Sequence, residues 1–207
     1  PCRLFLVTPP LAGAAEAERL VASLEAALAA GDVACLLLRL DQYSDELLRA
    51  AARILAPAAQ ARDVAFLIES QFMSVSAIAA DGVHLANFDN TGEARRQLGA
   101  AISIGTTCLS RDDAFSAAEQ GADYVAFGGF DDPAPQPMTI ALVEWWSEIM
   151  TVPCVAAGGT TPATCRPLIA AGADFLALAG AAWAGANGPA LIHAIMQEIA
   201  AARKPRN

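Results

Sequence analysis

Arg39, Glu69, His84 and Asp89 fall inside or just past short apolar runs, and their types limit the chemistry they could do. A cation after the apolar residues 35–38 suits an anchor for a phosphate or carboxylate, or an ion pair with Asp41 or Glu69. Glu69 and Asp89 could share a hard cation such as Mg2+, although Asp89 could equally cap the helical run that follows it. His84 alternates away from Val83 and Leu85. It is either an acid or base in a barrel lumen or a hydrogen-bonded core residue. His193 reads as structural.

A second group of residues carries no charge. Residues 152–160 and 173–181 each run from a short apolar strand into small residues, and only such residues let a backbone approach a ligand closely. The main chain at Gly158, Gly159, Ala179 and Gly180 could therefore hold an anion on backbone N–H groups, with a helix N-terminus behind them. Thr106, Thr107 and Cys108 offer a thiol and two hydroxyls, of which Thr107 could orient a ligand. Gly128 also ends an apolar run, but Asp131 and Asp132 beyond it would repel a diphosphate unless a metal neutralised them.

Eight strand-like runs would position these groups, at residues 4–8, 33–39, 64–69, 82–85, 101–105, 124–127, 153–157 and 175–178. Helix-period segments alternate with them at 14–30, 44–61, 71–79, 91–98, 110–120, 138–150, 161–170 and 188–202. The expectation is an α/β fold, a single-domain (β/α)8 barrel over residues 1–207, with an open doubly wound sheet as the competing arrangement. A faint repeat favours closure: Asp32, Asp81, Asp123 and Asp174 each stand next to a glycine, or one alanine from it, before an even-numbered strand. On a barrel they would lie at the N-terminal face, where such residues serve stability.

Composition closes off other classes. A formal charge of −9 argues against nucleic acid or an anionic membrane as a partner. Acidic and basic residues interrupt the apolar N-terminal region, so no spanning helix is expected, and the first apolar run is too short for a signal peptide. Five widely spaced cysteines suit buried positions in a reducing, cytoplasmic setting. The single lysine is Lys204, in the C-terminal tail, so a Schiff-base aldolase would lack its central group. Trp145 and Trp146 suit outer-ring packing or a contact in a homo-oligomer.

The chain resembles the thiamine phosphate synthase family and its thiazole tautomerase relatives. The resemblance rests on residues 4–8, Asp81 to Leu85, Ile104-Gly105, Gly121 to Val125 with Gly128, and Ala156 to Gly159 leading to Gly172 and Asp174. It implies a (β/α)8 barrel that joins hydroxymethylpyrimidine diphosphate to thiazole phosphate, releasing pyrophosphate with Mg2+, through a pyrimidine carbocation. It also implies a thiazole phosphate bound at Gly158, Gly159, Ala179 and Gly180. Catalytic positions depart from the family pattern. Of its Gln-x-Arg-x-Lys only Arg39 remains, with Leu37 and Asp41 at the flanking positions. Glu69 and Ser70 replace an Asn-Asp pair, Asp89 matches the second metal-binding Asp, residues 133–136 replace Thr-x-Thr-Lys, and Leu109 stands where the tautomerases have histidine. Two other readings stay open: a non-catalytic paralogue that binds a small phosphorylated ligand, and a different phosphate-dependent reaction using Glu69, His84 or Asp89 as acid or base.

Overall fold

The computed structural model describes residues 2–202, so Lys204 lies outside the described residues. Eight parallel strands close into a ring in chain order: β1 Arg3–Val7, β2 Val33–Leu38, β3 Ala65–Glu69, β4 Gly82–Leu85, β5 Ser103–Thr107, β6 Tyr124–Phe127, β7 Cys154–Ala156 and β8 Phe175–Leu178. The pairing of Leu4 with Leu176 and of Leu6 with Leu178 shuts the seam between β1 and β8. Closure excludes the open sheet. The strands read as continuous apolar runs because a closed parallel sheet is covered on both faces.

Alternation along each strand divides the core in two. Leu4, Leu6, Leu36, Leu38, Phe66, Ile68, Val83, Val125, Phe127, Leu176 and Leu178 face the helices and form the larger cluster. Phe5, Val7, Cys35, Leu37, Leu67, Tyr124, Ala126, Val155, Ala157 and Ala177 fill the lumen. The outer layer comprises α1 Ala14–Ala30, α2 Asp45–Gln60, α3 Thr91–Leu98, α4 Arg111–Glu119, α5 Pro137–Ile149, α6 Cys165–Ala170, α7 Gly180–Trp183 and α8 Gly188–Ala202. Trp146 is fully buried against β6 and donates from Nε1 to Val152 O at 2.7 Å, so it serves outer-ring packing.

Three expectations need correction. Residues 71–79 form two 3-10 turns, Phe72–Ser74 and Ser76–Ile78, ending on Ala79 in the left-handed region, in place of an α-helix. Only one buried side chain, Val75, anchors that stretch, too little to hold a full helix against the barrel. The fifth strand sits two residues later than read, and α6 starts at Cys165 because a turn from Thr161 to Thr164, closed by their hydroxyls, comes first. The four-residue α7 had no signal in the periodicity. Among the described residues no helix is long and apolar enough to cross a membrane.

The repeated aspartates pin the N-terminal face. Asp81 Oδ2 accepts from Phe66 N at 2.7 Å, Asp123 Oδ2 from Ile104 N at 2.7 Å, and Asp174 Oδ2 from Cys154 N at 2.9 Å. Each carboxylate reaches the start of the preceding strand and ties an odd strand to the even one after it. Asp32 departs from the pattern and accepts from Arg3 Nε at 2.8 Å. Asp174→Ala orphans a buried amide and should cost about 1–3 kcal/mol in urea unfolding. Asp32→Ala removes an exposed ion pair and should cost less than about 1 kcal/mol. Equal losses at the two positions would refute the pinning role.

Candidate active site

Following the lumen-facing parity to the C-terminal end of each strand, or just beyond it, brings the chemistry to one rim. Leu37 leads to Arg39, Leu67 to Glu69, Gly82 to His84, Gly105 to Thr107, Ala126 to Gly128, Ala157 to Gly159 and Ala177 to Ala179. All lie at the C-terminal ends of the strands, where barrels of this kind carry their active sites.

Arg39 is the centre of this rim. Its Nε donates to Glu69 Oε1 at 3.2 Å, and Nη1 and Nη2 donate to the two carboxylate oxygens of Asp131 at 3.0 and 2.9 Å. The ion-pair reading of Arg39 is therefore present in part: Glu69 is a partner, and Asp131 takes the place proposed for Asp41. The two carboxylates respond oppositely. Burial pushes Glu69 up against the pull of Arg39, whereas hydrogen bonds from Arg39 hold the largely exposed Asp131 below its usual value. Phe130, next in sequence, stacks on Phe5 with ring centroids 6.0 Å apart, meets His84 edge-on at 5.1 Å and lies 6.0 Å from the guanidinium carbon of Arg39. The segment after β6 thus crosses the mouth, with an aromatic ring over the lumen and a carboxylate on the cation.

His84 is buried within the lumen. Tyr124 Oη lies 3.1 Å from its Nδ1 and Thr107 Oγ1 lies 3.0 Å from its Nε2. Burial, aided by the charge of Arg39, lowers its pKa to about 3, so it stays neutral at ordinary pH. Of the two roles weighed for it, the hydrogen-bonded core position is the one its surroundings match. Thr107 is partly exposed at the mouth.

The uncharged loops behave differently. Gly128, Gly158 and Gly159 have φ of 87°, 110° and 50°, a region that side chains disfavour. Among the described residues, the amides of Gly158, Gly159, Thr160, Gly180 and Ala181 donate to no protein acceptor, and Thr160 Oγ1 is buried without a partner. Unpaired buried polar groups are rare in folded proteins, and Thr160 is one of two such hydroxyls among the described residues, the other being Thr91. The backbone of Pro133 and Ala134 lies against Gly159, and Pro9 lies against Gly180, so a methyl group at either would collide with main chain. Gly180 opens α7, while the turn from Thr161 separates Gly159 from α6, so the helix expected directly behind Gly159 begins later.

Asp89 is exposed in a 3-10 turn, Phe88–Asn90, and Asn87 supplies the cap there by accepting from Asp89 N at 3.1 Å. Among the described residues no three His, Cys, Asp or Glu side chains gather to cage a metal. Mg2+ needs less than a cage, because it keeps waters and takes one or two carboxylates together with substrate phosphates. Asp89, in no ion pair among the described residues, fits that lesser role, whereas Glu69 is already engaged by Arg39. A cavity of about 100 Å³ bounded by Leu38, Tyr43, Glu69 and Gln71 adjoins the rim, while one of about 370 Å³ beside Arg49, Arg53 and Pro57 lies on the flank of the barrel away from it.

Tyr124, Phe130 and the pairing of Asp131 with Arg39 were missed from sequence. For Tyr124 a signal existed: Gly105, paired with it across β5 and β6, leaves room for a large ring. Nothing in the sequence shows which way residues 129–136 fold.

The family model for thiamine monophosphate synthase matches residues 4–182. The thiamine-phosphate synthase of Rhodospirillum centenum is 46% identical over 195 residues, covering 91% of this chain and 93% of that protein. The thiamine-phosphate synthase of Erythrobacter litoralis is 43% identical over 217 residues, with 98% and 97% covered. The solved thiamine phosphate pyrophosphorylase of Pyrococcus furiosus superposes with a TM-score of 0.82 over 98% of this chain and 97% of that one; at 19% identity this likeness speaks for the fold.

The lowered pKa of His84 has a measurable consequence. Between its unfolded value of 6.5 and about 3 the unfolded chain binds the extra proton, so stability present above pH 6.5 is lost as pH falls through that window. Urea unfolding should show a contribution of up to about 1.4 kcal/mol per pH unit that His84→Gln removes. A variant with the wild-type slope would mean that the imidazole reaches solvent.

Proposed function

The chain belongs to the thiamine monophosphate synthase family, and from that premise we propose that it joins hydroxymethylpyrimidine diphosphate to thiazole phosphate and releases pyrophosphate. The observation that carries the reading is the rim: unpartnered amides at the ends of β7 and β8, with Arg39 at the end of β2. The amides of Gly158, Gly159 and Gly180 hold the thiazole phosphate without a basic side chain. Arg39 takes oxygens of the diphosphate once Asp131 lets go, since each group offers a pair of anionic oxygens that a guanidinium can bind in a bidentate way. The bond between the pyrimidine methylene carbon and the diphosphate oxygen breaks, the electron pair leaves with pyrophosphate, and the thiazole nitrogen supplies the pair for the new C–N bond.

Two features of the lumen favour a cationic carbon. His84 is held neutral and brings no second positive charge, and Glu69 with Asp131 outweighs the charge of Arg39. The same excess of negative charge opposes diphosphate entry, and Mg2+ carried with that group and held by Asp89 would supply the neutralisation.

The saturation of Arg39 by two carboxylates favours a second reading, a barrel that binds the phosphorylated ligand without turnover. Purified protein given both substrates and Mg2+ should release pyrophosphate, and Arg39→Ala should lower kcat/KM by roughly 10- to 100-fold, the loss of charge-assisted hydrogen bonds. Thermal stabilisation by thiazole phosphate with no pyrophosphate released would favour the second reading.

A further inference from the structure

The three groups of the lumen network have donors and acceptors that can be counted. Tyr124 Oη, buried in the cluster with Phe5 and Phe130, has one hydrogen-bond partner among the described residues, His84 Nδ1. A phenol has a single hydrogen to give, and a neutral imidazole carries one N–H and one bare nitrogen. If His84 carried its hydrogen on Nδ1, that hydrogen would go to Tyr124 and the phenolic hydrogen would be left without an acceptor in a buried aromatic pocket. An orphaned buried donor disfavours that arrangement by about tenfold or more. The other tautomer leaves nothing orphaned: Tyr124 O–H donates to Nδ1, and Nε2–H donates to Thr107 Oγ1.

The consequence falls on Thr107. Its oxygen accepts from His84, so its own hydrogen is free, and among the described residues its side chain has no other partner. The hydroxyl stands at the partly exposed end of β5. We infer that Tyr124 and His84 are positioning residues that fix Thr107 Oγ1 as a hydrogen-bond donor into the barrel mouth, where it meets an acceptor atom of the ligand, a ring nitrogen or a phosphate oxygen. Were the imidazole hydrogen on Nδ1 instead, the threonine would turn its own hydrogen inward onto the bare Nε2 and present only lone pairs, which repel the same acceptor. The inference rests on the synthase reading for the identity of the ligand but not for the state of the imidazole.

Long-range 1H–15N correlation spectra of 15N-labelled protein read the tautomer directly, with His193→Gln assigning the second histidine. His84 should show the Nε2–H form in the wild type, with the 15N resonance of its bare Nδ1 shifted by the hydrogen bond it accepts, a shift that Tyr124→Phe should remove while the fold, followed by circular dichroism, is kept. An Nδ1–H form in the wild type, or an unchanged Nδ1 resonance in Tyr124→Phe, overturns the inference whether or not the protein turns over. In kinetics, Thr107→Ser should keep wild-type KM values and Thr107→Val should raise one of them about tenfold, one hydrogen bond in affinity. A rise for the pyrimidine diphosphate or for the thiazole phosphate identifies which substrate carries the acceptor. Wild-type KM values in Thr107→Val would sink the donor role while leaving the synthase reading intact. An inactive wild type would instead sink that reading, and the tautomer measurement would still decide the inference.

Discussion

Closing a parallel sheet into a ring of eight strands gives each strand one face to the lumen and one to the helices, and the rest of the structure depends on that alternation. It sends Leu36 and Leu38 outward and Cys35 and Leu37 inward. The same parity, carried a step past the ordered strands, delivers Arg39, Glu69, His84, Thr107 and the glycines to a common rim. A slip of one residue in any strand would exchange its two faces and move its rim residue into the helix layer. The aspartates at the opposite end guard against such a slip in three of the strand pairs, because each carboxylate is bonded to one amide in the first two residues of the preceding strand.

At the rim the deciding quantity is charge balance. One guanidinium faces two carboxylates, and their opposite shifts show that they are not equivalent. Glu69 is buried enough that desolvation outweighs its pairing, while the more exposed Asp131 keeps the benefit of the hydrogen bonds. Asp131 sits in a loop and is well solvated when released, so it is the partner an incoming anion displaces more easily. Phe130 is its neighbour in the chain. The aromatic cover over the lumen and the carboxylate on the cation are therefore one device, since both belong to the segment that also lies against Gly159.

Much of the barrel was legible in the chain because two periods govern it. Short apolar runs found all eight strands, and the Gly-Asp repeat pointed to closure and to the stabilising face. The misreadings share a cause. Residues 71–79 have helical spacing but bury too little to sustain a helix, and α6 loses its first turn to the side-chain bonds of Thr161 and Thr164. At the site, strand-borne candidates fell where alternation placed them. Partners set by a loop did not: the contact of Asp131 with Arg39 spans 92 positions of sequence and depends on how residues 129–136 turn, which no period encodes. The family resemblance aligned that loop but could not say what its substituted residues touch.

The two ends of the barrel also differ in how completely they satisfy their polar groups. At the N-terminal face carboxylates and strand amides answer one another. At the C-terminal face the main chain after β7 and β8 keeps unanswered donors, and the buried hydroxyls without partners, Thr91 and Thr160, belong to the segments following β4 and β7. Leaving such groups unpaired costs free energy that a fold selected for stability alone would recover by closing the loops on themselves. The glycines make that self-closure easy to achieve sterically, yet the amides stay open. An anion would satisfy them with no change in the strands that position them, and the proposed phosphate site rests on that feature more than on any single side chain.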